Sequence, residues 1–137
     1  MRLLLDTHVI VWASAQVERL DLRVAGLLSD SRNELWMSSV SAWELALLNE
    51  RGRLALQPDA DRWLEAAMSG LRLQEAPLTN AIALESRRLA VATNDPADRF
   101  IAATARAYEC AFVTADETLR RIPGQRVVFC RTRRRRR

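Results

Sequence analysis

Asn94-Asp95-Pro96-Ala97-Asp98-Arg99-Phe100-Ile101-Ala102-Ala103-Thr104-Ala105 opens as a helix start carrying two acids and then turns almost wholly apolar. Proline has no N–H to lose in a first helical turn, so Pro96 fits the first position, Asp95 the N-cap and Asp98 the third position. Ala97, Ile101, Thr104, Ala105 and Tyr108 recur at helical spacing. That pattern predicts a helix over residues 94–109, with one stripe packed inward and Asp98 in the first turn, at the positive end of the helix dipole. Taken alone, both acids are caps that complement the dipole. Three further acids change the reading, because an α/β sheet carries them to the same edge.

Upstream, Arg2-Leu3-Leu4-Leu5-Asp6 is a short apolar run that ends abruptly in an acid. A buried parallel strand has this form, with its last side chain delivered to the carboxyl edge of the sheet. Asp6 then either caps the helix predicted over residues 7–14 or belongs to a site, since ligands of open α/β sheets bind at the carboxyl ends of the strands. Ala111-Phe112-Val113-Thr114 repeats the pattern and runs into Asp116, with Thr114 and Glu117 spaced as a capping box. Residues 34–38 and 127–129 predict two more strands. Helices are predicted over 22–30, 40–51, 59–69 (stopped by Gly70) and 78–91, with an extended connection at 71–76. Strands alternating with helices imply one α/β domain, a parallel sheet covered on both faces.

The predicted helix over 40–51 is apolar nearly all round, through Val40, Ala42, Trp43, Leu45, Ala46, Leu47 and Leu48, and so is expected to be buried. A buried Glu44 costs several kcal/mol unless it is paired, with Arg51 or another arginine, or bound to a cation.

The chain of 137 residues, 49% of them hydrophobic, fits a single domain able to bury a core. Two cysteines, Cys110 and Cys130, are too few and too far apart in sequence for a disulfide framework or a CxxC metal site, which suggests a reducing, cytoplasmic setting. The start resembles a signal peptide, but Asp6 and His8 interrupt its apolar stretch, and no run approaches the 18 or so residues of a membrane span.

Arg131 and Arg133 to Arg137 supply six of the 21 basic residues, so the rest of the chain holds 15 against 17 acidic groups, a balance of −2. Residues 1–130 are read as the folded domain, and 131–137 as a disordered tail that either neutralises phosphates or only solubilises. All 21 basic residues are arginine and there is one histidine, His8. A P-loop, lysine Schiff-base chemistry and histidine-rich zinc centres are excluded, and a Ser-His-Asp triad has a single poor candidate base.

If Asp6, Asp98 and Asp116 share one sheet edge and Glu44 reaches it, four carboxylates repel one another. At about 4 Å a like-charged pair costs roughly 1 kcal/mol in water and about 4 at an effective dielectric of 20. Arginine or a metal must compensate. Hard oxygen ligands with open positions suit Mg²⁺ or Mn²⁺, and the chemistry implied is phosphoryl transfer by a metal-activated water.

Leu5-Asp6-Thr7-His8, Ser41-Ala42-Trp43-Glu44-Leu45-Ala46, Asp95-Pro96-Ala97-Asp98-Arg99 and Val113-Thr114-Ala115-Asp116, in this order, resemble a PIN domain of the VapC toxin type, from about Met1 to Phe129. The resemblance implies a three-layer α/β/α fold. It also implies a Mg²⁺- or Mn²⁺-dependent endoribonuclease, the toxin of a type II toxin–antitoxin system, that cuts structured RNA such as tRNA or rRNA. Asp6, Glu44, Asp98 and Asp116 match the family's catalytic and metal-holding quartet, with Thr114 supporting it and Asp95 mainly capping. A cognate antitoxin and a homodimer are the implied partners. Three positions depart from the family pattern: Leu48 stands where lysine is frequent, Asn94 where histidine is frequent, and Ala97 where a bulky apolar residue is frequent. Two other readings stay open: a degenerate PIN module that only binds RNA or protein, and an acid-pocket phosphatase, a class that normally uses a lysine this chain lacks.

Overall fold

The computed structural model describes residues 1–133. In chain order the elements are β1 (Arg2–Leu5), α1 (Thr7–Ala15), α2 (Leu22–Ser29), β2 (Glu34–Ser38), α3 (Ser39–Glu50), α4 (Ala60–Leu71), β3 (Leu73–Ala76), α5 (Asn80–Ser86), α6 (Pro96–Ala107), β4 (Ala111–Thr114) and β5 (Val127–Phe129). Short 3-10 turns at Val17–Arg19 and Glu117–Leu119 follow α1 and β4. The five strands form one sheet in the order β3-β2-β1-β4-β5, and every pairing is parallel.

β1 shows why the sheet is covered twice. Its leucines are fully buried, and the period-2 pleat sends Leu3 and Leu5 into one core and Leu4 into the other. The first core takes Val9 and Ile10 of α1, Val24 of α2 and partly buried Trp63 and Leu64 of α4. The second takes Ile82 of α5 and Ile101, Ala102 and Ala105 of α6, together with Phe112 of β4. Each fully buried leucine contributes about 2 kcal/mol by transfer from water. The fold is therefore a three-layer α/β/α sandwich, as expected.

Chain order reverses between β1 and β4. From β1 the sheet grows one way to β2 and β3 and the other way to β4 and β5. At such a switch point the connections diverge and leave a crevice at the carboxyl ends of the two central strands. Asp6 follows β1 and Asp116 follows β4, so both flank it.

Five local expectations are corrected. α3 is not buried all round: Val40, Ser41 and Leu45 face inward, whereas Trp43 is 57% exposed and Glu44, Leu47 and Leu48 are half-buried. Arg51 does not pair with Glu44; no ion pair among the described residues involves Glu44. Gly70 lies inside α4, where glycine costs about 1 kcal/mol without breaking a helix; the stop is Arg72, in the left-handed conformation at φ 54°. The helix predicted over 78–91 is α5 alone, ending at Ser86. Beyond it the backbone wraps Arg99, whose guanidinium donates to the carbonyls of Ser86 (2.9 Å), Leu89 (2.9 Å) and Thr93 (3.0 Å). Finally, Thr114 forms no capping box with Glu117, because its hydroxyl is engaged with Asp6.

The connection at 71–76 becomes the edge strand β3. Both cysteines are free and buried. Among the described residues no helix is long and apolar enough to cross a membrane. Of the arginine tail, the Arg131 N–H donates to Asp21 Oδ2 (2.8 Å) and the Arg133 N–H to the Arg19 carbonyl (3.0 Å); residues 134–137 lie outside the described residues.

Candidate active site

Asp6 is the N-cap of α1 and is 8% exposed. Both its oxygens are held, Oδ1 by the Thr7 N–H (2.9 Å) and Oδ2 by the Thr114 hydroxyl (2.7 Å). The Thr114 hydroxyl also accepts the Asp116 N–H (3.1 Å), so one side chain ties the ends of β1 and β4 to the acid that follows each. Thr7 is fixed in turn by its hydroxyl bond to Ser41 on α3 (3.0 Å). These bonds lower the pKa of Asp6, but burial outweighs them; with the Glu44 charge added, the carboxyl is pushed up to about 6.

Asp98 sits in the first turn of α6, behind the Asp95 cap and the Pro96 start that the sequence predicts. Asp95 Oδ1 accepts the Ala97 N–H at 2.9 Å. The Thr93 hydroxyl accepts the Asp95 N–H (3.1 Å) and approaches Asp98 Oδ2 at 3.4 Å, which ties the entry loop to both acids. Burial first, and then the charges of Asp6, Asp95, Asp116 and Glu44, push Asp98 up to about 7. Those four charges act on it because all four carboxylates share its neighbourhood.

The tightest set is Glu44, Asp95 and Asp98, with one oxygen from each within 4.8 Å of the others. Asp6 and Asp116, expected as ligands alongside Glu44 and Asp98, fall outside this set and reach Asp98 only through their charge, whereas Asp95, expected mainly to cap, is inside it. Asp116 Oδ1 takes both the Thr118 N–H (2.9 Å) and the Thr118 hydroxyl (2.8 Å), so it caps a 3-10 turn while facing Asp98 electrostatically. Asp95 both caps α6 and stands in the trio, a double part that spacing alone does not reveal.

No arginine neutralises this group. Among the described residues none of the ion pairs involves Asp6, Glu44, Asp95, Asp98 or Asp116. Arg99, next to Asp98 in sequence and 9% exposed, turns away to its three carbonyls. Carboxylate oxygens converging without an internal cation fit a hard divalent ion, and Asp95 or Asp98 with Glu44 offers it oxygen ligands alone. Two residues that organise the site escape sequence reading. Arg99 looks like one more surface charge, and Thr93 shows only as a hydroxyl two residues before the Asp95 cap, the spacing of a local turn. A mainly apolar groove of about 350 Å³ adjoins the trio, lined by Trp43, Leu78, Pro96 and Phe100.

Residues 3–125 match the PIN domain family. The chain is 34% identical over 120 residues to Ribonuclease VapC22 of Mycobacterium tuberculosis (strain ATCC 25618 / H37Rv), covering 85% of this chain and 88% of that protein. A chain in the crystal structure of VapBC2 from Rickettsia felis bound to a DNA fragment from their promoter superposes with a TM-score of 0.69 at 18% identity, over 95% of this chain and 99% of that one. A chain of FitAcB from Neisseria gonorrhoeae gives 0.50 at 23% identity, over 85% and 88%. With the acids spaced around the β1/β4 crevice as described, and with this match along most of its length, the chain belongs to the PIN-domain family, among the VapC-type proteins.

Proposed function

We propose that this protein is an endoribonuclease, the toxin of a toxin–antitoxin pair, whose acid cluster works with Mg²⁺ or Mn²⁺ on structured RNA. One observation carries the reading. One oxygen each of Glu44, Asp95 and Asp98 lies within 4.8 Å of the others, the charges of Asp6 and Asp116 reach Asp98, and no ion pair among the described residues neutralises them, in a chain 34% identical to a protein named as a ribonuclease.

Glu44, Asp95 and Asp98 would hold the ion, with Asp6 beside them and fixed in aim by Thr7 and Thr114. When bound, such an ion supplies an acidified water and offsets charge on the attacked phosphate. Asp116 has Oδ1 taken by Thr118, so its other oxygen would be the one to accept a hydrogen bond from a water at the phosphodiester. Thr114 keeps Asp6 and Asp116 in register, a positioning part rather than a reacting one. Relatives in fold crystallised as VapBC2 and FitAcB support an antitoxin as partner. The exposed Trp43 and the apolar groove beside Asp95 give a protein, antitoxin or second copy, something to cover. A reducing cytoplasm, where RNA lies, suits two free buried thiols.

The test is direct. Purified protein with RNA and Mg²⁺ should cut it, EDTA should stop the cut, and Asp98→Asn should abolish it. RNA bound but left intact would favour a degenerate binding module. Phosphate released from small esters with RNA untouched would favour a phosphatase.

A further inference from the structure

The acid cluster repels the very polyanion a nuclease must hold, and the chain without its last seven residues carries no positive excess. Positive charge is nonetheless concentrated at one place on the same edge. β5 ends at Phe129 beside Thr114, its register partner on β4, and the Cys130 N–H donates to the Thr114 carbonyl at 2.7 Å. The tail thus leaves the sheet one strand away from the residue that holds Asp6.

Around this exit five arginines gather. The Arg23 guanidinium donates to the Phe129 carbonyl (2.9 Å), and Arg120 lies over the Phe129 ring at 4.6 Å. Arg131 is anchored through its N–H to Asp21, and Arg133 through its N–H to the carbonyl of Arg19. Arg19 lies over the Trp12 ring at 5.0 Å, and Trp12 in turn pairs with His8 at 6.1 Å, two residues from Asp6. Three acids face them: Asp21, whose carboxylate takes the N–H groups of Val24 and Arg131; Glu117, paired with Arg120 at 3.6 Å; and Glu18 in the adjoining turn. The positive excess remains. A cavity of about 420 Å³ between Arg120 and Arg131 opens at this rim, against the segment that follows Thr114.

A guanidinium laid on an aromatic face keeps its edge N–H groups free for bidentate contact with phosphate. We propose that Arg120, Arg131 and Arg133, supported by Arg19 and Arg23, form a phosphate-backbone site that holds the RNA strand flanking the acid cluster. The inference rests on the nuclease reading for its substrate class, but it concerns binding and is tested apart from cutting.

The probe is a fluorescent 20-nucleotide single-stranded RNA, bound in EDTA at 0.05 to 0.3 M salt (a range of about the Debye regime in which backbone contacts respond). Arg120→Ala/Arg131→Ala/Arg133→Ala is compared with Arg32→Ala/Arg72→Ala/Arg126→Ala, three exposed arginines at the opposite, amino edge. Each lost phosphate contact should lower the steepness of log K against log salt by about 0.7, so the rim variant should lose roughly 2 in slope and at least about tenfold in affinity. The amino-edge variant should match the wild type. With Mg²⁺ restored and a structured RNA as substrate, the rim variant should raise KM and leave kcat. An unchanged affinity and slope in the rim variant, an equal loss in the amino-edge variant, or a wild type that binds no RNA, overturns the proposal. Salt-dependent binding lost only at the rim, with no cutting of the structured RNA by the wild type, refutes the nuclease reading and leaves the rim standing.

Discussion

The two edges of the sheet handle the same side chains in opposite ways. At the amino edge charges are paired and wet: Arg2 meets Glu34 at 3.1 Å, and Arg32 meets Asp30 at 2.9 Å, which with two hydrogen bonds to Arg32 holds the Asp30 carboxyl down to about 2. At the carboxyl edge burial, and then the charge of neighbouring acids, raises Asp6 to about 6 and Asp98 to about 7. The fold pairs its amino-edge acids and leaves Asp6, Glu44, Asp95, Asp98 and Asp116 out of every ion pair among the described residues, so unfavourable charge is held at one edge alone.

The comparison can be broken in four ways, taken from the largest effect down. Asp98→Asn should cost at least about 10³ in RNA cleavage, roughly 4 kcal/mol of barrier, while the metal-free variant melts no lower than the wild type, since a repelled carboxylate has gone. A variant with full cleavage would dissolve the contrast. Arg99→Ala leaves three carbonyls without a donor and should cost about 3 kcal/mol or more, lowering Tm by roughly 10 °C in a thermal melt. A change of a degree or two would show that this guanidinium does not organise the entry loop.

Third, the pH dependence has a sign. Asp6 and Asp98 titrate above the ordinary 3.8, so between pH 4 and 7 the native state binds more protons than the unfolded chain. The stability these groups lend is present below pH 3.8 and is lost as pH rises through 6 and 7. Melts in EDTA should fall by a few degrees from pH 5 to pH 8, and millimolar Mg²⁺ at pH 8 should reverse the fall. Asp98→Asn should flatten the profile. A melt that climbs across this window would reverse the argument. Fourth and smallest, Asp30→Asn should leave Tm within about a degree at pH 7, because that pair is exposed to solvent.

Much of the acid edge is legible in the chain because parallel strands end on a fixed side. A leucine run stopping at Asp6, and a buried strand running into Asp116, place two acids at one edge without any coordinates. Asp95-Pro96-Ala97-Asp98 places a third through cap rules. Other features depend on what folds against them. Trp43 looks like core from its composition, yet α3 spans the border between the two cores and turns that face outward. Arg99 reads as one more charge until three carbonyls from a loop six to thirteen residues upstream close on it. Thr114 has the spacing of a capping box, and only the pairing of β1 with β4 shows that its hydroxyl is already engaged.

The bond between Thr114 and Asp6 joins residues 108 positions apart, and β1 sits at the middle of the sheet. A growing chain releases β1 first and must wait for β4, almost the last strand, before its central strand has a neighbour on both sides. Until then Asp6 has no hydroxyl to aim it, and Asp116 does not yet face Asp98. The geometry around Asp6 is therefore a product of long-range strand pairing, and no fragment that lacks β4 can reproduce it.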